Sequence, residues 1–511
     1  MGVLLEVEHL SVGFAEDGRG KNAVEDLSFV VNQGEILGLV GESGSGKSMT
    51  ALTVMGIQPE NARISGRIVF RGREISCLSE NERNQIRGNG MGMVFQESMT
   101  SLNPVVKAGT QVAEALKIHT DLPAKEIRAR TLEALECVGL SDAETVYDQY
   151  PHELSGGMRQ RVMLAMAIVH MPSLLIADEP TTALDVLVQA QILGLIRRLH
   201  KERQLSVLFI SHDLNVIRQI CDRVLVMHEG RILEEGSTKK IFEAPEHAYT
   251  KKLVGTAVER SGDFRTEKTV LTVRNLNVYY KERRLLPGRQ KKHQVLSDIS
   301  FSVREGEIFG IVGESGCGKS TLARAVTGLH RDLTGTVSVE GENRPQIVFQ
   351  DPFGSLNPAR KIGWIMEEPL RVRKIRDRQE REHMVREMLE DIGLDESFAA
   401  RYPDELSGGQ RQRISIGLAL SMNPKLLIAD EPVSALDVTI QAQILELLLK
   451  INRERKAAIL FITHDLGLVR RICHRAAVLY EGRILETGEG RALCDHPRTE
   501  YTKQLLAAAR P

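Results

Sequence analysis

The chain has 511 residues, and its 67 Lys and Arg against 68 Asp and Glu give a net charge of −1, which gives no support for a protein that holds nucleic acid through phosphates. No apolar run approaches the roughly 18 to 20 residues of a membrane-spanning helix, and the first residues lack the build of a signal peptide. The six cysteines form no C-x-x-C pair, which argues against a zinc site and a disulfide framework. We therefore expect a cytoplasmic chain with reduced thiols.

Each half of the chain is predicted to open with strands. The first half reads LLEVEHLSV and then, after a turn, the apolar run ILGLV, and the second half repeats this as VLTVRNLNV and IFGIV. Alternating and continuous apolar patterns of these lengths indicate strands. Each apolar run ends at a glycine-rich loop, so the order strand, loop, helix is predicted twice.

The two glycine-rich loops carry a phosphate-binding motif. GESGSGKS at 41–48 and GESGCGKS at 313–320 both match G-x-x-x-x-G-K-[ST], in which backbone N–H groups surround phosphates, the lysine reaches the β/γ-phosphates and the hydroxyl binds Mg²⁺. One match is compatible with an ordinary loop, but two after apolar strands are not. The residues that we predict to contact the nucleotide are Gly41, Ser43, Gly44, Gly46, Lys47, Ser48, Met49, Gly313, Ser315, Gly316, Gly318, Lys319, Ser320 and Thr321.

The middle of each half has a helical period. Apolar side chains recur at spacings of three to five, for example Ile127, Leu132 and Leu135, then Val385 and Leu389 in the second half. These patterns predict a small helical subdomain inserted into an α/β core.

Two further apolar runs end in acidic residues. Each reads LLIA and indicates a parallel strand that is buried on both faces. Asp178 and Asp430 end these runs, where a carboxylate can hold Mg²⁺, and Glu179 and Glu431 follow, where a carboxylate can polarise a water molecule. Without the glycine loops an Asp-Glu pair would indicate a solvated turn. Because the glycine loops are present, the better interpretation is that each half hydrolyses the bound nucleotide.

A histidine follows the next apolar strand in each half. His212 comes after VLFIS and His464 after ILFIT, at the same interval from the glutamate. A single histidine is usually structural, so the repetition carries this prediction.

The repeat divides the chain into two domains. We predict a first nucleotide-binding domain at 1–256, a linker at 257–269 and a second nucleotide-binding domain at 270–511. The linker AVERSGDFRTEKT is polar and has no clear apolar period.

Two signature segments give the chain a family resemblance. LSGGM at 154–158 and LSGGQ at 406–410 each precede the acid-ended strand by the same interval, which resembles the ATP-binding cassette (ABC) family. Ser-Gly-Gly at a helix start offers a hydroxyl, backbone N–H groups and a positive dipole end to a phosphate. The resemblance implies an α/β protein with two tandem P-loop ABC ATPase domains, each a mixed sheet core with an inserted helical subdomain.

The resemblance also implies the roles of individual residues. It implies ATP and Mg²⁺ at two composite sites, each joining the glycine loop of one half to the signature segment of the other. Catalytic roles fall on Glu179, Glu431, His212 and His464. The Mg²⁺ ligands implied are Ser48, Gln96, Asp178, Ser320, Gln350 and Asp430. Further nucleotide contacts are implied at Phe14, Gln96, Ser155, Gly157, Tyr280, Gln350, Ser407 and Gly409.

Two details bear on these implied roles. Phe14 and Tyr280 match the position where the family stacks adenine, but Tyr279 beside Tyr280 leaves the register open by one. Met158 replaces the usual glutamine of the signature, which Gln410 keeps, so the Lys319 site is the one whose turnover rate is in question. Because both lysines, glutamates and histidines are present, we expect two competent sites.

Further segments narrow the class of solute. VFQESMTSLNP and IVFQDPFGSLNP share FQ-x-x-x-x-SLNP, which resembles the importer ATPases for dipeptides, oligopeptides and nickel. HAYTKKL and EYTKQLL resemble the tail of the same group, but the cysteine-rich tail is missing, so no iron–sulfur cluster is expected. The resemblance implies two transmembrane permease subunits, an extracytoplasmic solute-binding protein and no nucleic acid, with the chain peripheral at the cytoplasmic face of the inner membrane.

Alternatives remain open at the level of sequence. The solute is a peptide or related small molecule in the leading interpretation, and nickel, a metallophore or an opine in the alternatives; export is open as well. A translation-factor or DNA-repair ABC protein would need no permease, but the short linker and missing C-x-x-C pairs argue against both. A tandem monosaccharide importer would have an eroded second glycine loop, whereas GESGCGKS is intact.

Overall fold

The computed structural model describes most of the chain, namely residues 2–14, 22–96, 101–182, 184–255, 258, 260, 266–281, 292–341, 343–434 and 436–509. Its contacts divide the chain into two compact units, one of residues 1–184 with 188–256 and the other of 185–187 with 257–510. Much of the predicted linker lies outside the described residues, and a strand begins at its last residue, Thr269. The predicted domain bounds stay predictions.

The first unit combines an antiparallel sheet, a mixed sheet and helices. Its strands are β1 (Val3–Phe14), β2 (Asn22–Asn32), β3 (Ile36–Val40), β4 (Ala62–Phe70), β5 (Arg73–Glu74), β6 (Met91–Val94), β7 (Leu174–Asp178), β8 (Ser206–Ser211), β9 (Arg223–His228) and β10 (Arg231–Ser237). Its helices are α1 (Lys47–Met55), α2 (Glu80–Ile86), α3 (Ala108–His119), α4 (Ala124–Cys137), α5 (Ala143–Asp148), α6 (Gly156–Ile168), α7 (Val186–Arg203), α8 (Leu214–Ile220), α9 (Thr238–Glu243) and α10 (Ala248–Gly255).

The mixed sheet forms the centre of this unit. Its strand order is β10-β9-β3-β8-β7-β6, and all neighbours are parallel except β9 and β10. Every residue of β3, β7 and β8 is buried, which agrees with the continuous apolar runs ILGLV, LLIA and VLFI that they contain. A second sheet of order β2-β1-β4-β5 is antiparallel.

The helical insertion predicted for the first half is present between β6 and β7. It contains α3 to α6, and α3 packs against α4, α5 and α6. The predicted apolar face is buried at Ile127 and Leu135, whereas Leu132 is only half-buried.

The second unit repeats this plan. Its strands are β11 (Thr269–Lys281), β12 (Lys292–Arg304), β13 (Ile308–Val312), β14 (Leu333–Val339), β15 (Gln346–Val348), β16 (Leu426–Asp430), β17 (Ala458–Thr463), β18 (Arg475–Tyr480) and β19 (Arg483–Glu489). Its helices are α11 (Lys319–Val326), α12 (Pro352–Ser355), α13 (Ile362–Val372), α14 (Arg378–Asp391), α15 (Gly408–Ser421), α16 (Val438–Arg455), α17 (Leu466–Ile472), α18 (Gly490–Asp495) and α19 (Glu500–Ala509).

The mixed sheets of the two units have the same topology. The second has the order β15-β16-β17-β13-β18-β19, which is the first order read from the opposite edge. Val312 pairs with Thr463 as Val40 pairs with Ser211, so the strands also share their register. The antiparallel sheet of the second unit has the order β12-β11-β14. The chain passes from β14 to β15 in few residues, whereas the first unit has β5 and α2 between β4 and β6.

Across the part of the chain that the structure describes, no helix combines the length and the apolar character needed to cross a bilayer.

Candidate active sites

The sheet topology brings the predicted residues of each half to one edge. In the first unit β3, β8, β7 and β6 are adjacent and parallel, so their carboxyl ends meet at the same side of the sheet. The glycine loop follows β3, His212 follows β8, Glu179 follows β7 and Gln96 comes shortly after β6. Ligand sites in parallel sheets form at this edge.

The first glycine loop has the backbone that its sequence predicts. Gly44 and Gly46 have φ angles of 76° and 101°, which side chains rarely permit. A Cβ atom on Gly46 would lie 2.3 Å from the carbonyl oxygen of Ala23. Lys47 Nζ donates to the carbonyl oxygens of Gly41 and Glu42, each at 2.8 Å, so the lysine lies across the loop that it follows. The arrangement forms a cradle of N–H groups with one buried cation.

A hydroxyl and a carboxylate meet beside this cradle. Ser48 Oγ donates to Asp178 Oδ1 at 3.1 Å, joining the first turn of α1 to the end of β7. Burial of Asp178, and the negative charge of Glu179, raise the pKa of Asp178 to about 6. A buried carboxylate with a raised pKa gains from a cation at this position.

The carboxylate of Glu179 is held from several sides. Its Oε2 accepts from Gln96 Nε2 at 3.0 Å and from Thr182 Oγ1 at 2.9 Å, and its Oε1 lies 3.0 Å from His212 Nδ1. Burial favours the neutral acid, but the hydrogen bond and charge of His212 outweigh it, with help from Lys47, and lower the pKa of Glu179. The group is therefore an ionised carboxylate at neutral pH.

The backbone at Glu179 is also constrained. Its φ is 47°, in the left-handed region, and its N–H donates to the carbonyl oxygen of Ile210 at 2.9 Å. Glu431 has the same φ of 47° and donates to Ile462 at the same distance. A positive φ in a residue other than glycine is uncommon and costs free energy, so the fold imposes one conformation at both glutamates.

The second glycine loop repeats the first. Gly316 and Gly318 have φ angles of 80° and 107°, and Lys319 Nζ donates to the carbonyl oxygens of Gly313 at 2.7 Å and Glu314 at 2.8 Å. Lys319 Nζ also lies 3.4 Å from Glu431 Oε1. The cradle and its buried cation are thus present in both units.

Asp430 has a buried carboxylate oxygen, Oδ1, that accepts no hydrogen bond from the described residues. Burial, together with the charge of Glu431, raises the pKa of Asp430. A buried polar atom without a partner is costly, and a bound cation removes that cost.

Glu431 is held by a glutamine and a histidine, as Glu179 is. Gln350 Nε2 donates to Glu431 Oε2 at 2.9 Å, and His464 Nδ1 lies 3.4 Å from the same oxygen. Burial opposes ionisation of Glu431, but His464 and Lys319 outweigh it and lower its pKa. Burial opposes protonation of His464, but its hydrogen bond to Glu431 and the charge of that carboxylate raise its pKa.

The signature segments start helices in both units. Ser155 and Ser407 are the N-caps of α6 and α15, where each hydroxyl accepts from the N–H of the third residue beyond it. Gln410 Oε1 in turn accepts from Ser407 N at 3.0 Å, a reciprocal bond for which Met158 has no side-chain oxygen.

The second glycine of each signature lies in close packing. A Cβ atom would lie 2.5 Å from Val188 if it were added to Gly157, and 2.3 Å from Ile440 if it were added to Gly409. Each helix start therefore keeps bare N–H groups. The predicted pairing of each signature segment with the opposite half stays a prediction.

The aromatic positions end the first strand of each unit. Phe14 is the last residue of β1 and is half-buried. The Tyr280 hydroxyl lies 3.4 Å from Thr321 Oγ1, in the first turn of α11, whereas Tyr279 faces Lys292. Tyr280 therefore lies beside the helix that follows the glycine loop, and its stacking on adenine stays a prediction.

Sequence reasoning missed one residue of this constellation. Thr182 contacts the carboxylate of Glu179, and no role was predicted for it from the sequence. The difference between Thr182 and Ser434 does not single this position out in the sequence, because the neighbouring residues Thr181 and Val433 differ as well.

The fold and the paired glycine loops define a tandem P-loop ATPase. Comparison with known proteins identifies its family. The model of the ABC transporter family matches residues 24–182 and 296–434, and the model of the oligopeptide/dipeptide transporter C-terminal region matches residues 233–274. The chain belongs to the ABC transporter family. It is an ATP-binding subunit that hydrolyses ATP to power the import of peptides or related small solutes.

Relatives match over nearly the whole chain. The glutathione import ATP-binding protein GsiA of Pectobacterium atrosepticum is 42% identical, over 99% of this chain and 89% of that protein. GsiA of Escherichia coli K12 has the same identity and coverage. A solved ATP-binding cassette bound to ADP and Pi is 27% identical over 46% of this chain and 99% of its own, with a TM-score of 0.42.

These findings confirm the predicted family, fold class, ATPase activity and import of peptide-type solutes. They do not favour the nickel, opine or translation-factor alternatives. The second family model includes the segment HAYTKKL, one of the two that carried the resemblance. The roles of individual site residues stay predictions.

Proposed function

We propose that both halves bind ATP with Mg²⁺ and that Glu179 and Glu431 polarise the attacking water. The observation that carries this proposal is the placement of the Glu179 carboxylate. It is ionised, held by Gln96 and His212, and lies at the same sheet edge as Lys47. A fixed carboxylate beside a phosphate cradle suits the orientation of a water for phosphoryl transfer.

The residues present fit Mg²⁺ in both halves. Ser48 and Asp178 supply adjacent oxygens in the first half. In the second half Asp430 supplies an oxygen that accepts no hydrogen bond from the described residues. Because Gln96 Nε2 donates to Glu179, its Oε1 is the atom suited to a cation, and the same holds for Gln350. Oxygen donors of this kind are what Mg²⁺ prefers. When bound, Mg²⁺ would neutralise charge on the phosphate oxygens.

Other predicted residues complete the proposal. The N–H groups at the starts of α6 and α15, with Ser155 and Ser407, are proposed to bind phosphate, since helix N-termini attract anions. Phe14 and Tyr280 are proposed to stack on adenine. His212 and His464 are proposed to hold the glutamates and to contact the γ-phosphate.

The partners and the solute form the next part of the proposal. We propose two transmembrane permease subunits, an extracytoplasmic solute-binding protein and a peripheral position at the cytoplasmic face of the inner membrane. The names of relatives at 42% identity support a small peptide such as glutathione as the solute. We propose that neither nucleic acid nor an iron–sulfur cluster is needed.

Hydrolysis by glutamate variants tests the catalytic proposal. The wild-type chain, Glu179→Gln, Glu431→Gln and the double variant are compared with the permeases in lipid. Each single variant should lose part of the activity and the double variant at least about 100-fold, because no carboxylate remains to orient water. Glu60→Gln, a change on an exposed loop, serves as the control.

The same preparation tests the solute. Binding protein loaded with glutathione should stimulate hydrolysis, and the double variant should not respond. A double variant that keeps wild-type turnover would contradict the assigned roles of both glutamates. Stimulation by ribosomes without any effect of permeases would contradict the import proposal.

A further inference from the structure

The two glutamates share a glutamine and a histidine as partners but differ in the contact made by one hydroxyl residue. In the first half Thr182 Oγ1 donates to Glu179 Oε2 at 2.9 Å, sharing that oxygen with Gln96 Nε2 at 3.0 Å. One carboxylate oxygen is therefore held by two donors, the threonine that follows Glu179 in the chain and the glutamine that precedes it. His212 remains on the other oxygen.

The corresponding residue of the second half makes a different bond. Ser434 occupies the position of Thr182 in the repeated segment, but its hydroxyl donates to the backbone carbonyl oxygen of Glu431 at 3.2 Å. The Glu431 carboxylate contacts Gln350 and His464, as Glu179 contacts Gln96 and His212, and Lys319 Nζ lies 3.4 Å from its Oε1. The same backbone thus carries two arrangements of the catalytic carboxylate.

Two properties of these residues bear on this difference. The β-methyl group of threonine limits the rotation of χ1, and the hydroxyl of either residue can donate to a nearby side chain or to the backbone. A hydroxyl that donates to a carboxylate makes a charge-assisted bond, which is stronger than a bond to a neutral carbonyl. Thr182 itself lies at the surface, so its contribution is directional and does not come from burial.

We propose that Thr182 is a positioning residue that aims the Glu179 carboxylate, and that the first half depends on such a hydroxyl while the second half does not. The proposal rests on the proposed role of Glu179 in hydrolysis. Thr182 is not proposed to touch ATP. Its effect should therefore fall on turnover and leave ATP binding almost unchanged.

Hydrolysis by the full chain with Glu431→Gln as background tests this proposal, because turnover then depends on the first half. Thr182→Val keeps the shape but removes the hydroxyl, and we expect kcat to fall about 3- to 10-fold with KM for ATP changed less than about twofold. Thr182→Ser should give a kcat between those of the unsubstituted chain and Thr182→Val, since a serine hydroxyl can donate either to the Glu179 carboxylate or to the backbone carbonyl oxygen.

The second half supplies the matched control. In a Glu179→Gln background, Ser434→Ala should leave kcat within about twofold, because the Ser434 hydroxyl does not hold the carboxylate. Thermal melting of each variant shows that the fold is intact. An unchanged kcat for Thr182→Val, or an equal loss for Ser434→Ala, would overturn the proposal. If Glu179→Gln alone left turnover intact, the role of Glu179 would fail instead, which is a separate result.

Discussion

Gln96 Nε2 donates to Glu179 Oε2 at 3.0 Å, and Gln350 Nε2 repeats this bond to Glu431 Oε2 at 2.9 Å. Each glutamine belongs to the FQ-x-x-x-x-SLNP segment that distinguishes the importer ATPases in sequence. The bond joins that segment to the carboxylate that we propose for catalysis. A movement of the segment would therefore shift or break a hydrogen bond to the carboxylate.

We expect Gln96→Ala to lower kcat about tenfold in a Glu431→Gln background, because Glu179 loses a donor and a proposed Mg²⁺ ligand is removed. ATP hydrolysis at saturating Mg²⁺ measures this. Gln58→Ala, in the same unit but outside the site, is the control. Equal rates for the two variants would contradict the role of Gln96.

Two glycines of the first loop should respond differently to alanine. A Cβ atom on Gly46 would meet the Ala23 carbonyl oxygen at 2.3 Å, whereas one on Gly44 would meet nothing within 4 Å, although both have positive φ. We expect Gly46→Ala to weaken ATP binding at least about 100-fold. Gly44→Ala should weaken it about 10-fold, from the strain of the left-handed backbone alone.

Titration with a fluorescent ATP analogue measures this pair. A Lys319→Ala background limits the signal to the first half. Similar losses for both alanine variants would show that backbone strain, rather than contact with Ala23, decides the loop geometry.

Met158 gives a prediction about stability. Met158→Gln should complete the reciprocal cap that Ser407 and Gln410 form at α15, and so stabilise the start of α6 by about 0.5–1 kcal/mol. The free energy of unfolding in urea measures the change. Gln410→Met is the mirror variant and should lose a similar amount, while no difference in either variant would contradict the capping explanation.

His474 gives a prediction about pH. Its Nδ1 accepts from the N–H of Ile308 at 2.9 Å, and burial, with the nearby charge of Arg260, lowers its pKa from 6.5 to about 4. Between these values the unfolded chain binds a proton that the folded chain does not. The stabilisation is therefore complete above pH 6.5 and is lost as the pH falls towards 4, by about 2 kcal/mol at pH 5.

His474→Asn should reduce this dependence, because an amide oxygen accepts the bond without taking up a proton. A side chain as short as asparagine can make this bond. At the equivalent position of the first half, Asp222 Oδ2 accepts from the N–H of Ile36 at 2.9 Å. The free energy of unfolding in urea, measured at pH 7 and at pH 5, tests this. His383→Asn, a substitution of an exposed histidine, is the control. An unaltered pH dependence in His474→Asn would assign the effect to other groups.

The repeat made much of this molecule predictable. Lys47, Asp178, Glu179 and His212 each follow a strand whose apolar character is visible in sequence, and the structure places all of those strands side by side. The different contacts of Tyr279 and Tyr280 were not predictable, because an alternating strand fixes which face a residue takes but not which neighbour it meets.

By itself the sequence determined the class of fold, the two phosphate cradles and the acidic residues beside them. Glycines, a lysine and a carboxylate at these fixed spacings are typical of a nucleotide site and of few other structures. Only the tertiary structure decided how each carboxylate is held. Thr182 donates to a carboxylate and Ser434 to a backbone carbonyl, and Asp430 Oδ1 accepts no hydrogen bond from the described residues. The directions of hydroxyl groups and the burial of single atoms depend on packing between segments distant in the chain, which no local pattern encodes.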